Sequence, residues 1–472
     1  MKNHVKSLTK HLPLPTAAAV KPGKPLLAIL CLAALSLTAR AQQADEVSVT
    51  FMREDGSSET RHYPKDTTEL DLTDRESTSI TFSRGWTNLK KLDLFASQLT
   101  SLTLPEGMTS LESLWLGGSG RTRSSWSLTL PEDMTSLKEL NFRSNGLTNL
   151  TLPKGLASLE RLWLVGNRLT SWTLPEGLTS LWWLHLSGNG LTSWTLPEGL
   201  TSLESLSLSG NRLTSLTLPE SLTSLETLDL SRNELTSWTL PEGLTSLERL
   251  DLSDNQLTSL TLPEGLTSLK TLNLWGNQLA SLTLPEDMMS LVELELRHNE
   301  LTSLPLSEGL TSLETLNLEN NRLTSWTLSE GLASLETLTL GANELTSLTL
   351  PEGLASLETL TLQNNPMMSL TLPEGLTSLS ILDLVGAPIG VLRVPRGFNL
   401  SGLNLYGFSK DGVTYYDPAP GPPVELEFML QWADSVEGPW TRATRATITE
   451  GVVRLPNEGG KRFFRLVPAG GD

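Results

Sequence analysis

Residues 203–220 read Leu203-Glu-Ser-Leu206-Ser-Leu208-Ser-Gly-Asn211-Arg-Leu213-Thr-Ser-Leu216-Thr-Leu218-Pro219-Glu220. Leu206 and Leu208 are two apart, so in a strand they point to one side and Ser207 to the other. Twenty-two residues later the same pattern returns as Leu228-Asp229-Leu230 with Asn233, and again as Leu250-Asp251-Leu252 with Asn255. Near copies of Leu-Pro-Glu-Gly-Leu-Thr-Ser-Leu start at Leu104, Leu174, Leu196, Leu240, Leu262, Leu350 and Leu372. A unit this short cannot close a core of its own, so neighbouring copies must stack and share one. Leucine triplets run from 70–72 to 403–405, which predicts a sixteen-stranded parallel sheet about 75 Å long at the usual strand spacing.

The remaining positions of the unit have structural work. Asn145, Asn167, Asn189 and their counterparts through Asn365 stand three residues after a triplet. A buried turn leaves N–H and C=O groups without partners, and an amide that both donates and accepts can bridge its own turn to the next copy. In the return half, Leu216 and Leu218 alternate with Thr217, a second short extended run that Pro219 ends. Trp172, Trp194, Trp238 and Trp326 take a core leucine slot there and read as fillers of a wider core. The expected architecture is a repeat solenoid with little α-helix.

The unit L-x-x-L-x-L-x-x-N-x-L, matched in full by Leu203 to Leu213 and Leu247 to Leu257, resembles the leucine-rich repeat family over about residues 66–408. The resemblance implies an arc whose concave parallel sheet binds a protein, peptide or glycan. The family also includes bacterial effectors with a ubiquitin-ligase domain that depends on a catalytic Cys. The only Cys here, Cys31, lies in the leader, so that activity is not carried over.

Residues 1–41 read as a secretory leader: Lys2, Lys6, Lys10, Lys21 and Lys24 precede an apolar run from Leu26 to Leu37, and Ala39-Arg40-Ala41 offers a cleavage site. The run is shorter than the roughly 20 residues that span a bilayer. A secreted or cell-surface location follows, with no membrane insertion after cleavage. The chain carries a net charge of −18, and losing the wholly basic leader makes it more negative. Such a surface repels nucleic acid and favours solubility as a monomer. Residues 42–65 are expected to cap the first repeat. A Pro-rich linker at 409–423 leads to residues 424–472, where strict alternation of Val424, Leu426, Phe428, Leu430 and Trp432 predicts a small antiparallel β module. Gln431-Trp432-Ala433-Asp434-Ser435, Gly438-Pro439-Trp440 and Arg462-Phe463-Phe464-Arg465-Leu466 resemble the C-terminal β modules of secreted bacterial proteins. The repeat after Val394-Pro395-Arg396-Gly397 is read as one residue short.

The residue inside each triplet faces outward, and this row carries the functional information. Large residues gather in the first third. Trp115 and Trp163 lie two strands apart with Asn141 between them, and Arg143, Arg161, Trp183 and His185 surround them. The third unit has four extra residues within Gly117 to Trp126, and Arg121 and Arg123 on that loop can close over the patch. Exposed aromatics beside Arg and amides suit a sugar or a peptide. A non-catalytic binding role is therefore expected, with a structural or adhesive envelope spacer docked by the C-terminal module as the alternative. No cofactor and no metal are expected: Asp229, Asp251 and Glu295 lack a Gly-Asp loop motif, and calcium needs six or more oxygens. His185 and His298 stand five copies apart, too far to share a proton relay, and no Ser has a base within reach.

Overall fold

The structure is a computed structural model. It describes residues 46–407 except 74–76, 96–98, 118–125, 396–397 and 399–402, and short strands between 413 and 468. The proposed leader and most of the linker lie outside the described residues.

Sixteen parallel strands form one continuous sheet, from Glu69–Thr73 to Asn404–Tyr406, each paired with the strand of the next turn. Most are three residues long, with the middle leucine buried and its two neighbours half-buried. The register is leucine on leucine: Leu206 opposes Leu228, and Leu228 opposes Leu250. Both inward residues of each triplet, all leucine except Phe142, join one unbroken core that runs the length of the solenoid. Burying such a side chain stabilises by roughly 1.5–3 kcal/mol, which is why a turn that cannot shield its leucines alone gains by stacking.

The asparagines tie turn to turn. Asn255 is buried; its Nδ2 donates to the carbonyls of Leu252 in its own turn and Leu230 in the turn before, each at 3.0 Å. Its Oδ1 accepts from Leu235 N at 3.1 Å. The same set recurs at Asn211 and Asn321. The bridge therefore runs to the preceding copy, not to the next one. Each strand-end carbonyl thus accepts twice: Leu230 O takes one bond from Asn233 of its own turn and one from Asn255 of the next.

Opposite the sheet, the return runs pair in parallel only locally, as in Ser193–Thr195 with Ser215–Thr217 and Ser325–Thr327 with Ser347–Thr349. The gap before Ser325 coincides with Pro305, which stands where other units have Thr and brings no N–H. Among the described residues there is no helix. The four return-run tryptophans are buried in this layer, and each indole N–H donates to a carbonyl of the unit before; Trp194 reaches Trp172 O at 2.9 Å and stacks on Trp172.

The N-terminal cap is a hairpin, Glu46–Arg53 with Ser58–Pro64, and its first strand also pairs with Ser77–Phe82. Val49, Phe51, Ile80, Phe82 and Trp86 close the first turn's core. The C-terminal repeat differs from the expected spacing. Leu405, not Leu403, opposes Leu382, so the last turn is one residue longer than the period, not one shorter. A two-residue slip keeps leucines facing inward, and both Leu403 and Leu405 are buried. Beyond it, Glu427–Ala433 pairs antiparallel with Thr441–Thr449 and with Phe463–Pro468, as the alternation predicts.

A glycine after the return-run Glu adopts a left-handed φ, +94° at Gly331 of Ser329-Glu330-Gly331 and +86° at Gly177 of Pro175-Glu176-Gly177. A Cβ at Gly331 would sit 2.8 Å from Glu308 O, whereas one at Gly177 meets nothing. Gly331→Ala is therefore expected to cost more than Gly177→Ala, which pays only the ~1–2 kcal/mol of the left-handed backbone. Asn255→Ala, which strands buried backbone partners, should cost about 2–4 kcal/mol. Urea unfolding midpoints of the three variants check the order.

Candidate ligand-binding face

The outward row has the expected register. Trp115 opposes Asn141, Asn141 opposes Trp163, and Trp163 opposes His185. Two residues earlier, Glu139 opposes Arg161 and Arg161 opposes Trp183. Strand positions thus place six of the nine expected residues on neighbouring strands, and Arg143 follows two residues after Asn141. Arg121 and Arg123 lie outside the described residues.

The structure draws these residues into a tighter group than their order implies. Arg161 is the hub: Nη2 pairs with Glu139 Oε1 at 3.1 Å, and the guanidinium lies over Trp163 at 5.9 Å and Trp182 at 5.2 Å. Arg143 covers Trp163 at 5.7 Å. Trp183 meets Trp182 and His185 edge-on, with centroids 5.8 and 6.3 Å apart. Trp115 stands at the margin, with Lys91 Nζ 5.1 Å from its ring. Asn141 turns its carbonyl oxygen to Arg143 N at 3.3 Å.

One expectation needs correction. Trp115, Trp163 and Trp183 are half-buried rather than exposed. Arg143 and Arg161 cover Trp163, Trp182 and His185 pack edge-on against Trp183, and Lys91 lies over Trp115. The indole N–H groups of Trp115 and Trp183 are covered and have no partner among the described residues. What these rings offer a ligand is carbon surface, already framed by cations.

Burial pushes the His185 imidazole below its ordinary value; the positive charge of Arg143 adds to this and Asp229 works against it. On the same face, burial raises the carboxyls of Asp93, next to Asp71, and of Glu295. His185 and His298 are separated by five strands, about 24 Å at the strand spacing, and cannot act on one bond.

Sequence reasoning missed Trp182, Glu139 and Lys91, and a second aromatic group formed by Trp275, Arg297 and His298. Arg297 lies 4.9 Å over Trp275, and His298 meets that ring edge-on at 6.5 Å. The signal was there: Trp275 stands where plain units have Ser209 or Ser231, and Trp182 stands where they have Glu204 or Glu226.

Family models match most of the array. The BspA type leucine-rich repeat region matches residues 73–182 and 120–230, a single leucine-rich repeat 224–247, and paired leucine-rich repeats 245–286 and 290–334. The chain belongs to the leucine-rich repeat family. No curated protein matches it. Among solved structures, a leucine-rich repeat protein of Leptospira interrogans is 28% identical, the match covering 64% of this chain and 86% of that one, with a TM-score of 0.43. YopM, a leucine-rich effector protein from Yersinia pestis, is 25% identical over 76% of this chain and 86% of its own, TM-score 0.48. A chain of the LRIM1/APL1C complex is 19% identical over 74% of this chain and 64% of its own, TM-score 0.52, a likeness of fold. The leucine-rich repeat scaffold is typically one for binding rather than catalysis. No helix of the described residues is long and apolar enough to cross a membrane.

His185 gives this leucine-rich repeat protein a measurable handle. Its lowered pKa means that neutral His185 favours the folded state above the ordinary imidazole value, and that this stability is lost as pH falls from there through the folded value. NMR titration of the His185 ring should find its midpoint below the ordinary value, and Arg143→Ala should move it upward. A midpoint unmoved by the substitution removes the contribution assigned to Arg143 and leaves burial alone.

Proposed function

We propose that this leucine-rich repeat protein is a non-catalytic binding protein of the cell surface or the extracellular space. Its ligand, a protein, peptide or glycan, is held on the outward face of the main sheet at Trp115, Asn141, Arg143, Arg161, Trp163, Trp183 and His185. The observation that carries the reading is the Arg161 cluster. One guanidinium, fixed by Glu139, lies over two tryptophans on a sheet whose other outward residues are mostly small or acidic. Rings that are already oriented lose little freedom on binding, and aromatic and Arg side chains dominate binding energy where they cluster. The basic and apolar leader supports export. Arg121 and Arg123 of the inserted sequence are proposed to contact the same ligand.

The competing reading is a spacer docked by the C-terminal β module, and the uniformity of the plain units favours it. Both are tested with one set of proteins. Full-length protein on glycan and peptide arrays should capture a ligand that the double variant Trp115→Ala/Trp163→Ala holds at least tenfold more weakly, a loss of about 1.4 kcal/mol. Unchanged capture by the double variant sinks the assigned site. Capture unchanged after removal of residues 219–240, but lost on removal of residues 424–472, favours the spacer.

A further inference from the structure

Between the two aromatic groups the outward face sinks into an open trough of about 420 Å³, a size ordinary for small-ligand sites. Its floor is Ser187, Ser209, Ser231 and Ser253 on successive turns, flanked by Gly166, Gly188 and Gly210. Val165 begins it, beside the Arg161 cluster, and the ring of Trp275 walls the far end. Those ends are five turns apart, about 24 Å at the strand spacing. The trough exists because large residues at these positions stop at Arg143 and resume at Trp275.

The chemistry of the floor narrows the occupant. Three of its four hydroxyls, those of Ser187, Ser209 and Ser231, belong to one network, and Ser253 to a second on Asp251. Ser209 Oγ donates to Ser187 Oγ at 2.9 Å, Ser187 and Ser207 hydroxyls share a bond of 2.7 Å, and Ser207 Oγ donates to Asp229 Oδ2 at 2.9 Å. Asp229 also accepts from the N–H and hydroxyl of Ser231, at 3.1 and 2.7 Å. Asp251 is engaged in the same way by Ser253, and by Asn273 Nδ2 at 3.2 Å. Arg232 pairs with Asp254 on the rim. The carboxylates repel an anionic polymer, yet each already holds three donors and has little need of a ligand cation. Main-chain recognition fares no better: the N–H groups of Gly166, Gly188 and Gly210 are spent on the carbonyls of Ser187, Ser209 and Ser231. An extended peptide therefore finds no free ladder to join. What remains is a row of oriented hydroxyls at one strand spacing and an aromatic wall.

We infer that the trough binds a linear, neutral, polyhydroxylated polymer, an extended oligosaccharide that runs across the strands with one ring per turn and its end against Trp275. This rests on the reading that the sheet face binds a ligand, and it adds a second subsite beside the Arg161 cluster. Sugar hydroxyls exchange hydrogen bonds with the serine network, and the apolar face of a ring packs on the indole.

The test uses isothermal titration of the full chain with cellohexaose, maltohexaose and chitohexaose, and with hexalysine. Ser209→Trp fills the trough; the position accepts the residue, because Trp275 occupies the equivalent place three units on. Trp275→Ala removes the wall. We expect at least one hexaose to bind, its trisaccharide to bind more weakly, and each variant to weaken the hexaose about tenfold or more. Absence of binding by all three hexaoses at millimolar concentration overturns the inference, as does a hexaose affinity that neither variant changes. Hexalysine binding that Ser209→Trp abolishes also overturns it, by showing a site for cations. If no hexaose binds while the arrays still find a Trp115/Trp163-dependent ligand, the trough fails alone; if neither is found, the face itself fails.

Discussion

A turn of 22 residues has too few leucines to hide from water and too many backbone groups to satisfy alone. The buried asparagine answers the second problem and makes the first soluble. Each amide joins two strand-end carbonyls and one N–H across a turn boundary, so the leucine rows are held one strand spacing apart with no helix among the described residues to brace them. Because this bond set is local and repeated, every turn depends on its neighbours and hardly at all on distant ones. The outward side chains take no part in this bridge, and it is there that the units differ.

That separation of duties explains the uneven surface. Where outward residues are large, they settle onto each other, as around Arg161 and around Trp275. Where they are Ser and Gly, the same backbone leaves a depression. The protein makes relief on its face by changing residue size at fixed positions, without bending the scaffold. The charge pattern follows the same logic: Asp229 and Asp251 are acidic residues whose first task is to anchor Ser231 and Ser253 at the strand end.

Much of this was legible in the sequence, because the period ties meaning to position. Leu206, Leu208 and Asn211 have one reading each, and the sheet register follows from counting. The tryptophans of the return run were separable from those of the outward row by phase alone. Three things were not legible. The backward direction of the asparagine bridge depends on the geometry of a turn that sequence spacing does not encode. The slip of the last turn is invisible to a period-two pattern, since Leu403 and Leu405 satisfy it equally. Side-chain posture was the third: Trp163 had been expected to stand exposed, and its contact with Arg143 and Arg161 appears only when neighbouring rows are seen together. The second aromatic group joins residues of two turns beyond the triplet centre, Trp275 with Arg297 and His298, which only the folded strand ends bring together.

The irregular turns matter for how the chain finds its shape. Neighbouring units are so alike that docking one copy out of phase would satisfy nearly the same leucines and asparagines, leaving rival arrangements close in energy. The cap around Phe51 and Trp86 and the long turn between Ser113 and Glu139 have no double elsewhere in the array. They fit only one place, and so supply the reference mark from which the correct phase can spread along an otherwise monotonous chain.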